Sequence, residues 1–102
     1  MVLDASDSGG NRMQYMVIEH FRNGDPLPVY RRFRDHGRLA PEGLRYVASW
    51  VTEDFRRCFQ IMECEDRALL TQWTACWDDL IEFEVITVVT SADAAATVAP
   101  RL

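Results

Sequence analysis

Four short runs of aromatic and β-branched residues, interleaved with two helical stripes, leave this chain few folds to choose from. The runs are 13–21 (MQYMVIEHF), 44–52 (LRYVASWVT), 57–63 (RCFQIME) and 82–89 (EFEVITVV). Their composition and alternation predict strands. After the first run, Asn23-Gly24-Asp25-Pro26 breaks the chain. Asp25 suits a helix N-cap, Pro26 the first helical position and Gly37 the glycine just past a helix end. Val29, Tyr30 and Phe33 then form the apolar face of a helix running to His36. Asp66 caps a second helix over 67–77, where Leu69, Leu70, Trp73, Cys76 and Trp77 make one broad stripe. Glu53-Asp54 joins the second and third runs tightly, as in an antiparallel hairpin.

The order β-α-β-β-α-β predicts an α+β, ferredoxin-like sandwich: a four-stranded antiparallel sheet with both helices on one face. The folded unit spans residues 13–90. Residues 1–12 are polar and read as a disordered tail, and 91–102 (SADAAATVAPRL) read as a flexible one. Met13 is a candidate start codon. A domain this small buries only ~60% of its surface, and its second sheet face is left open. A second copy covering that face, related by a twofold axis, is the expected solution.

Composition narrows the function classes. The 16 acidic residues outnumber the 11 basic ones, giving a net charge of −5, which argues against nucleic acid. No stretch reaches the ~18 apolar residues that cross a membrane, and the first residues lack the apolar core of a secretory signal. Three cysteines without a C-x-x-C pair predict reduced thiols and a cytoplasmic protein rather than a disulfide framework or a zinc ribbon. The absence of Gly-rich loops and metal-ligand clusters predicts no cofactor and no metal.

Alternation splits each strand into two faces. Met16, Ile18, Val47, Val51, Phe59, Ile61, Phe83, Val85 and Val89 are almost wholly apolar and are assigned to the helix side. The opposite set is amphiphilic: Tyr15, Val17, Glu19, Phe21, Tyr46, Ala48, Trp50, Cys58, Gln60, Met62, Glu82, Glu84, Ile86 and Val88. Such a mixture suits a pocket or a partner-covered surface. A β-bulge would flip the assignment of its strand.

The spaced motifs Met16-Val17-Ile18-Glu19-x-Phe21, Gly24-Asp25-x-x-Pro28-Val29-Tyr30-x-Arg32-Phe33, Gly37-Arg38, Pro41-Glu42-Gly43-Leu44, Ser49-Trp50-Val51, Cys58-Phe59-Gln60-x-Met62-Glu63 and Asp79-Leu80-x-Glu82-Phe83-Glu84-Val85, with Trp73 and Trp77, carry a resemblance. Over 13–89 the chain resembles the bacterial domain of unknown function 3303 family. The resemblance implies a dimeric α+β barrel, in which two such sheets face each other around a cavity. Barrels of that kind include cofactor-free monooxygenases and isomerases, an analogy at the level of fold alone.

Glu19 and Glu84 are the expected acid/base pair. A carboxylate in a partly apolar cavity has its pKa raised and can exchange protons near neutrality. The competing reading pairs them with Arg45 or Arg57 at a dimer seam. Gln60 is the expected hydrogen-bonding partner. Tyr15, Tyr46, Trp50 and Met62 are the expected ligand-binding walls, with interface packing as the alternative. Trp73 and Trp77 read as core. His20 is placed toward the helix side; it and His36 read as solvated or capping. Arg31, Arg34 and Arg38 fall on one helical stripe with Arg32 beside them, read as a solvated face with Asp35 interleaved, a phosphate or carboxylate site being the alternative. Two functions follow: a small-molecule-binding protein or cofactor-independent enzyme, or a self-association module without ligand. A void well under the ~300 Å³ of ordinary ligand sites favours the second.

Overall fold

The computed structural model describes residues 12–102; the tail expected over 1–12 lies outside them save for its last residue. β1 (Met13–Phe21), α1 (Leu27–His36), β2 (Arg45–Val51), β3 (Arg57–Cys64), α2 (Ala68–Ala75) and β4 (Ile81–Val88) follow in the expected order. The sheet runs β2-β3-β1-β4, all neighbours antiparallel, so β1 and β3 are central. This is the α+β ferredoxin-like arrangement. Among the described residues no helix is long and apolar enough to cross a membrane.

Local chemistry explains the element ends. Asp25 Oδ1 accepts the Leu27 N–H at 3.0 Å, satisfying one of the helix's free donors. Gly37 ends α1 with φ 71° and ψ −162° while its N–H reaches the Phe33 carbonyl. That backbone region is essentially open only to glycine. The segment read as a loose tail is helical instead: α3 (Ser91–Val98) is capped by the Thr90 hydroxyl, which accepts from the Asp93 N–H. None of its residues is buried, so local hydrogen bonding accounts for it.

The core corrects the face assignment for β1 and β3. Tyr15, Val17, Glu19 and Phe21 are buried on the helix side with Cys58, Gln60, Met62 and Cys64. Leu70, Trp73, Trp77, Val29 and Ile81 complete that layer. Burying a large apolar side chain contributes ~1.5–3 kcal/mol, and here the helices confer that gain on the set containing the polar residues. The set assigned to the core (Met16, Ile18, Phe59 and Ile61) pairs in register across the open face. Phe83 and Val85 do face the helices, as assigned. The physical reason is that β1 and β3 are apolar on both faces, and two buried polar groups that satisfy each other lose their preference for water.

A register shift between Tyr46 and Ala48 splits β2. Tyr46 pairs with Met62 on the helix side, whereas Trp50 pairs with Phe59 on the open side. The residues grouped together on β2 by simple alternation are therefore separated by a bulge.

Candidate functional site

Gln60 Nε2 donates to Glu19 Oε2 at 2.8 Å, deep between the sheet and the helices. Both side chains are buried, Glu19 at 7% and Gln60 at 2% exposure. On its other end, Gln60 Oε1 accepts from Arg38 Nη1. A carboxylate, an amide and a guanidinium thus form a chain in which the amide spaces the two charges. Burial is the largest influence on Glu19 and pushes its carboxyl up to about 7, against the opposing effects of Arg38 and the Gln60 hydrogen bond. Glu19 is therefore poised to exchange a proton near neutrality.

The Arg38 backbone is pinned from below. The indole N–H groups of Trp73 and Trp77 both donate to its carbonyl, each at 3.0 Å. Two indoles four residues apart point the same way, and a buried indole requires an acceptor. Gly37 and Leu39, both at positive φ, turn the chain so that this carbonyl meets them. The guanidinium lies over the Tyr46 ring, 3.8 Å from Cζ to the centroid, with Phe33 at 5.3 Å. Tyr46 is steadied in turn by a 2.8 Å hydrogen bond between its hydroxyl and Ser49 Oγ. The β2 bulge is what delivers Tyr46 to this side.

These groups surround a cavity of about 150 Å³, lined by Glu19, Arg38, Gln60, Ser49 and Cys58 with Val29, Ile81 and four aromatic side chains. The aromatics are Tyr30, Phe33, Trp73 and Trp77. Tyr30 and Phe33 are nearly half exposed and form its rim; the two tryptophans are buried and form its floor. Burial, chiefly, and the nearby Glu19 push the Cys58 thiol up to about 12, so it is a neutral wall rather than a nucleophile. Burial also raises the Tyr30 phenol, with Cys58 and Glu19 adding to it, so its hydroxyl stays protonated. Two larger depressions lie elsewhere on the surface, but neither contains a buried carboxyl.

The expected site residues divide between the faces. Glu19 and Gln60 meet on the helix side rather than on the opposite face to which they were assigned, and Tyr46 joins them through Arg38. Tyr15 and Met62 are buried on the same side but pack in the core away from the cavity lining. Glu84 is a correction. It pairs with Ile18 on the open face and is more than half exposed, so it does not meet Glu19. Its neighbour is His20, whose Nε2 lies 3.7 Å from Glu84 Oε1; His20 too is on the open side rather than the helix side. Trp50 is 62% exposed there and does not line the cavity around Glu19.

Arg38 is what the sequence reading misplaced. Three-residue spacing placed it on a helical stripe, but the helix ends one residue before Gly37. The Gly37-Arg38 step was the available signal, since a chain-reversing glycine carries the next side chain off the helix surface. Trp73 and Trp77 are core residues as read, and their N–H groups also build the site.

The family model described as Domain of unknown function (DUF3303) matches residues 13–102, so the chain belongs to that family. No curated protein matches the chain, and no solved structure does.

Proposed function

We propose that this member of the DUF3303 family binds a small molecule in the cavity between its sheet and helices. There Glu19 serves as the proton-exchanging group of a cofactor-independent enzyme or binding protein. The observation that carries this reading is a buried carboxyl that faces a cavity and is hydrogen-bonded to an amide rather than to a cation, so that burial pushes it up to about 7. A carboxylate kept only for structure is ordinarily paired with a cation, which lowers its pKa. Here an amide stands between Glu19 and the cation, and the group stays able to gain and lose a proton. Gln60 orients it, Arg38 supplies positive charge for an oxygen that becomes negative, and the aromatic walls exclude water. The catalytic roles first given to Glu19 and Glu84 together fall to Glu19 alone.

The open sheet face is, in this proposal, covered by a second copy. Ile18, Phe59, Trp50, Ile61 and Ile86 share that face by register, and an uncovered apolar sheet is rare in a stable monomer. The second reading, a self-association module without ligand, draws on the same face and on a cavity smaller than the ~300 Å³ of drug-sized sites. A volume near ~150 Å³ nevertheless accommodates one benzene ring in a protein interior.

A fragment screen by ¹H–¹⁵N correlation spectroscopy separates the two. Binding expected under the first reading moves the amides of Tyr30, Phe33, Ser49 and Gln60, and the substitution Ser49→Phe, which fills the cavity, removes the effect. If no fragment moves these resonances and the native mass spectrum shows a dimer without added mass, the module reading replaces the first.

A further inference from the structure

Arg38 differs from the salt-bridged arginines in where its charge is left, and from the other arginines without a salt bridge in lining the cavity. Arg32 forms a two-pronged pair with Asp79 at 2.7 Å, Arg34 pairs with Asp35, and Arg45 pairs with Glu63. Among the described residues Arg38 has no salt-bridge partner. Its Nη1 is used by Gln60, while its Nε and Nη2 donate no hydrogen bond to any described residue. That Nε–Nη2 edge is the planar fork that matches a carboxylate with two parallel hydrogen bonds. The fork belongs to a residue lining a cavity whose rim and floor are aromatic rings. The cavity volume, about 150 Å³, matches that of a protein cavity that takes up one benzene ring.

Resting on the small-molecule reading above, we propose that the cavity binds a single-ring aromatic carboxylate on Arg38, and that binding is accompanied by protonation of Glu19. The charge balance requires the coupling. With Glu19 ionised, the Arg38 and Glu19 charges cancel, and a monoanion would leave one negative charge in a poorly solvated space. With Glu19 protonated, the pair carries one positive charge, which the monoanion neutralises. The anion therefore enters with one proton from solvent, taken up at a Glu19 carboxylate oxygen; no covalent bond between heavy atoms changes. The protonated carboxyl still accepts from Gln60 Nε2 through its carbonyl oxygen. The other ionisable groups facing Glu19 keep their charge across neutral pH. Cys58 on β3 and Tyr30 on α1 stay neutral, and Arg38 stays charged. From α2 come only the indole of Trp73 and, just beyond the helix, that of Trp77; from β4 comes Phe83, the register partner of Glu19.

Isothermal titration calorimetry with benzoate tests this on the full-length protein. Benzamide and benzene serve as neutral controls, and each titration is repeated in two buffers of different ionisation heat. Benzoate is already ionised in solution at neutral pH, so proton uptake reports the protein. The expected result is uptake of close to one proton per benzoate at about pH 8, and an affinity falling about tenfold per pH unit above 7. Glu19→Gln, permanently neutral and still able to accept from Gln60, should bind benzoate without proton uptake and about tenfold more tightly than wild type at pH 8. Arg38→Met should lose benzoate by tenfold or more and keep benzene, since Arg38 anchors the fold through its carbonyl. Benzamide or benzene binding as tightly as benzoate would sink the carboxylate assignment and leave the small-molecule cavity standing. Benzoate binding with no proton uptake in wild type would remove the coupling, a result that needs no variant. Failure of all three probes at millimolar concentration would take the cavity reading down as well.

Discussion

Glu19 shows how far a residue's chemistry departs from its local sequence. Flanked by Ile18 and His20 on a strand, it reads equally well as a surface carboxylate. What distinguishes it is burial together with an amide partner, Gln60, that lies 41 residues away. The pairing has a measurable consequence for stability. Because the folded-state pKa of Glu19 is raised from 4.5 to about 7, the folded chain holds this proton more tightly than the unfolded one. The associated stability is fully present below pH 4.5 and is lost as pH rises through about 7. At ~1.4 kcal/mol per pKa unit the loss is on the order of 2–4 kcal/mol. Denaturant unfolding from about pH 5 to about pH 8.5 should show wild-type stability falling, whereas Glu19→Gln should show a much flatter profile over that interval. Parallel profiles for the two proteins would mean that Glu19 titrates normally. At Trp77, replacement by Phe keeps an aromatic ring but deletes the pyrrole half of a buried indole and one of the two donors to the Arg38 carbonyl. The remaining bond from Trp73 leaves the carbonyl satisfied, so the expected cost in chemical denaturation, lost packing included, is about 2–3 kcal/mol.

At the scale of elements, the boundaries were legible because they rest on local rules. The Asp25 cap, the Gly37 terminator and the tight 53–54 connection each act within a few residues, and the strands begin and end within a residue or so of their expected limits. Two features escaped. The β2 bulge depends on how Tyr46 and Ala48 pair with β3, information absent from β2 itself. The helix over Ser91–Val98 was hidden by an Ala-rich composition with no apolar stripe, although Thr90 with Asp93 offered a capping signal. Gly37 ties element ends to the site. Its φ of 71° and ψ of −162° exclude a side chain without strain, although nothing lies within 4 Å of where a Cβ would sit. The cost of Gly37→Ala is therefore conformational, of the order of 1–3 kcal/mol. The expected outcome is a lower melting temperature accompanied by altered tryptophan fluorescence, because the Arg38 carbonyl shifts relative to both indoles. An unchanged emission spectrum with lowered stability would separate the turn from the site.

For the whole molecule, the sheet has one face under α1 and α2 and one without a cover in the single chain. The proposed second copy predicts a dimer by light scattering at micromolar concentration, with about 800 Å² buried on each partner. The double substitution Trp50→Glu, Ile86→Glu should give a monomer that keeps its near-ultraviolet circular dichroism, since both residues are exposed in the single chain. A monomeric wild type would remove the dimer from the proposal and leave the cavity unaffected, because every residue lining the cavity comes from one chain. The sequence by itself determined the order of elements, the antiparallel α+β fold and the placing of Glu19 and Gln60 on one face, because strand composition, caps and alternation are local properties; the β1–β3 register is what brings the two together. Only the tertiary structure decided which face of β1 and β3 the helices cover. Those strands present Met16 and Ile18 on one side and Val17 and Phe21 on the other, so the hydrophobic gain is similar either way. The choice falls to contacts made across the chain, where Arg38 and the two indoles close over Glu19 and Gln60 and satisfy polar groups that would otherwise have stayed in water.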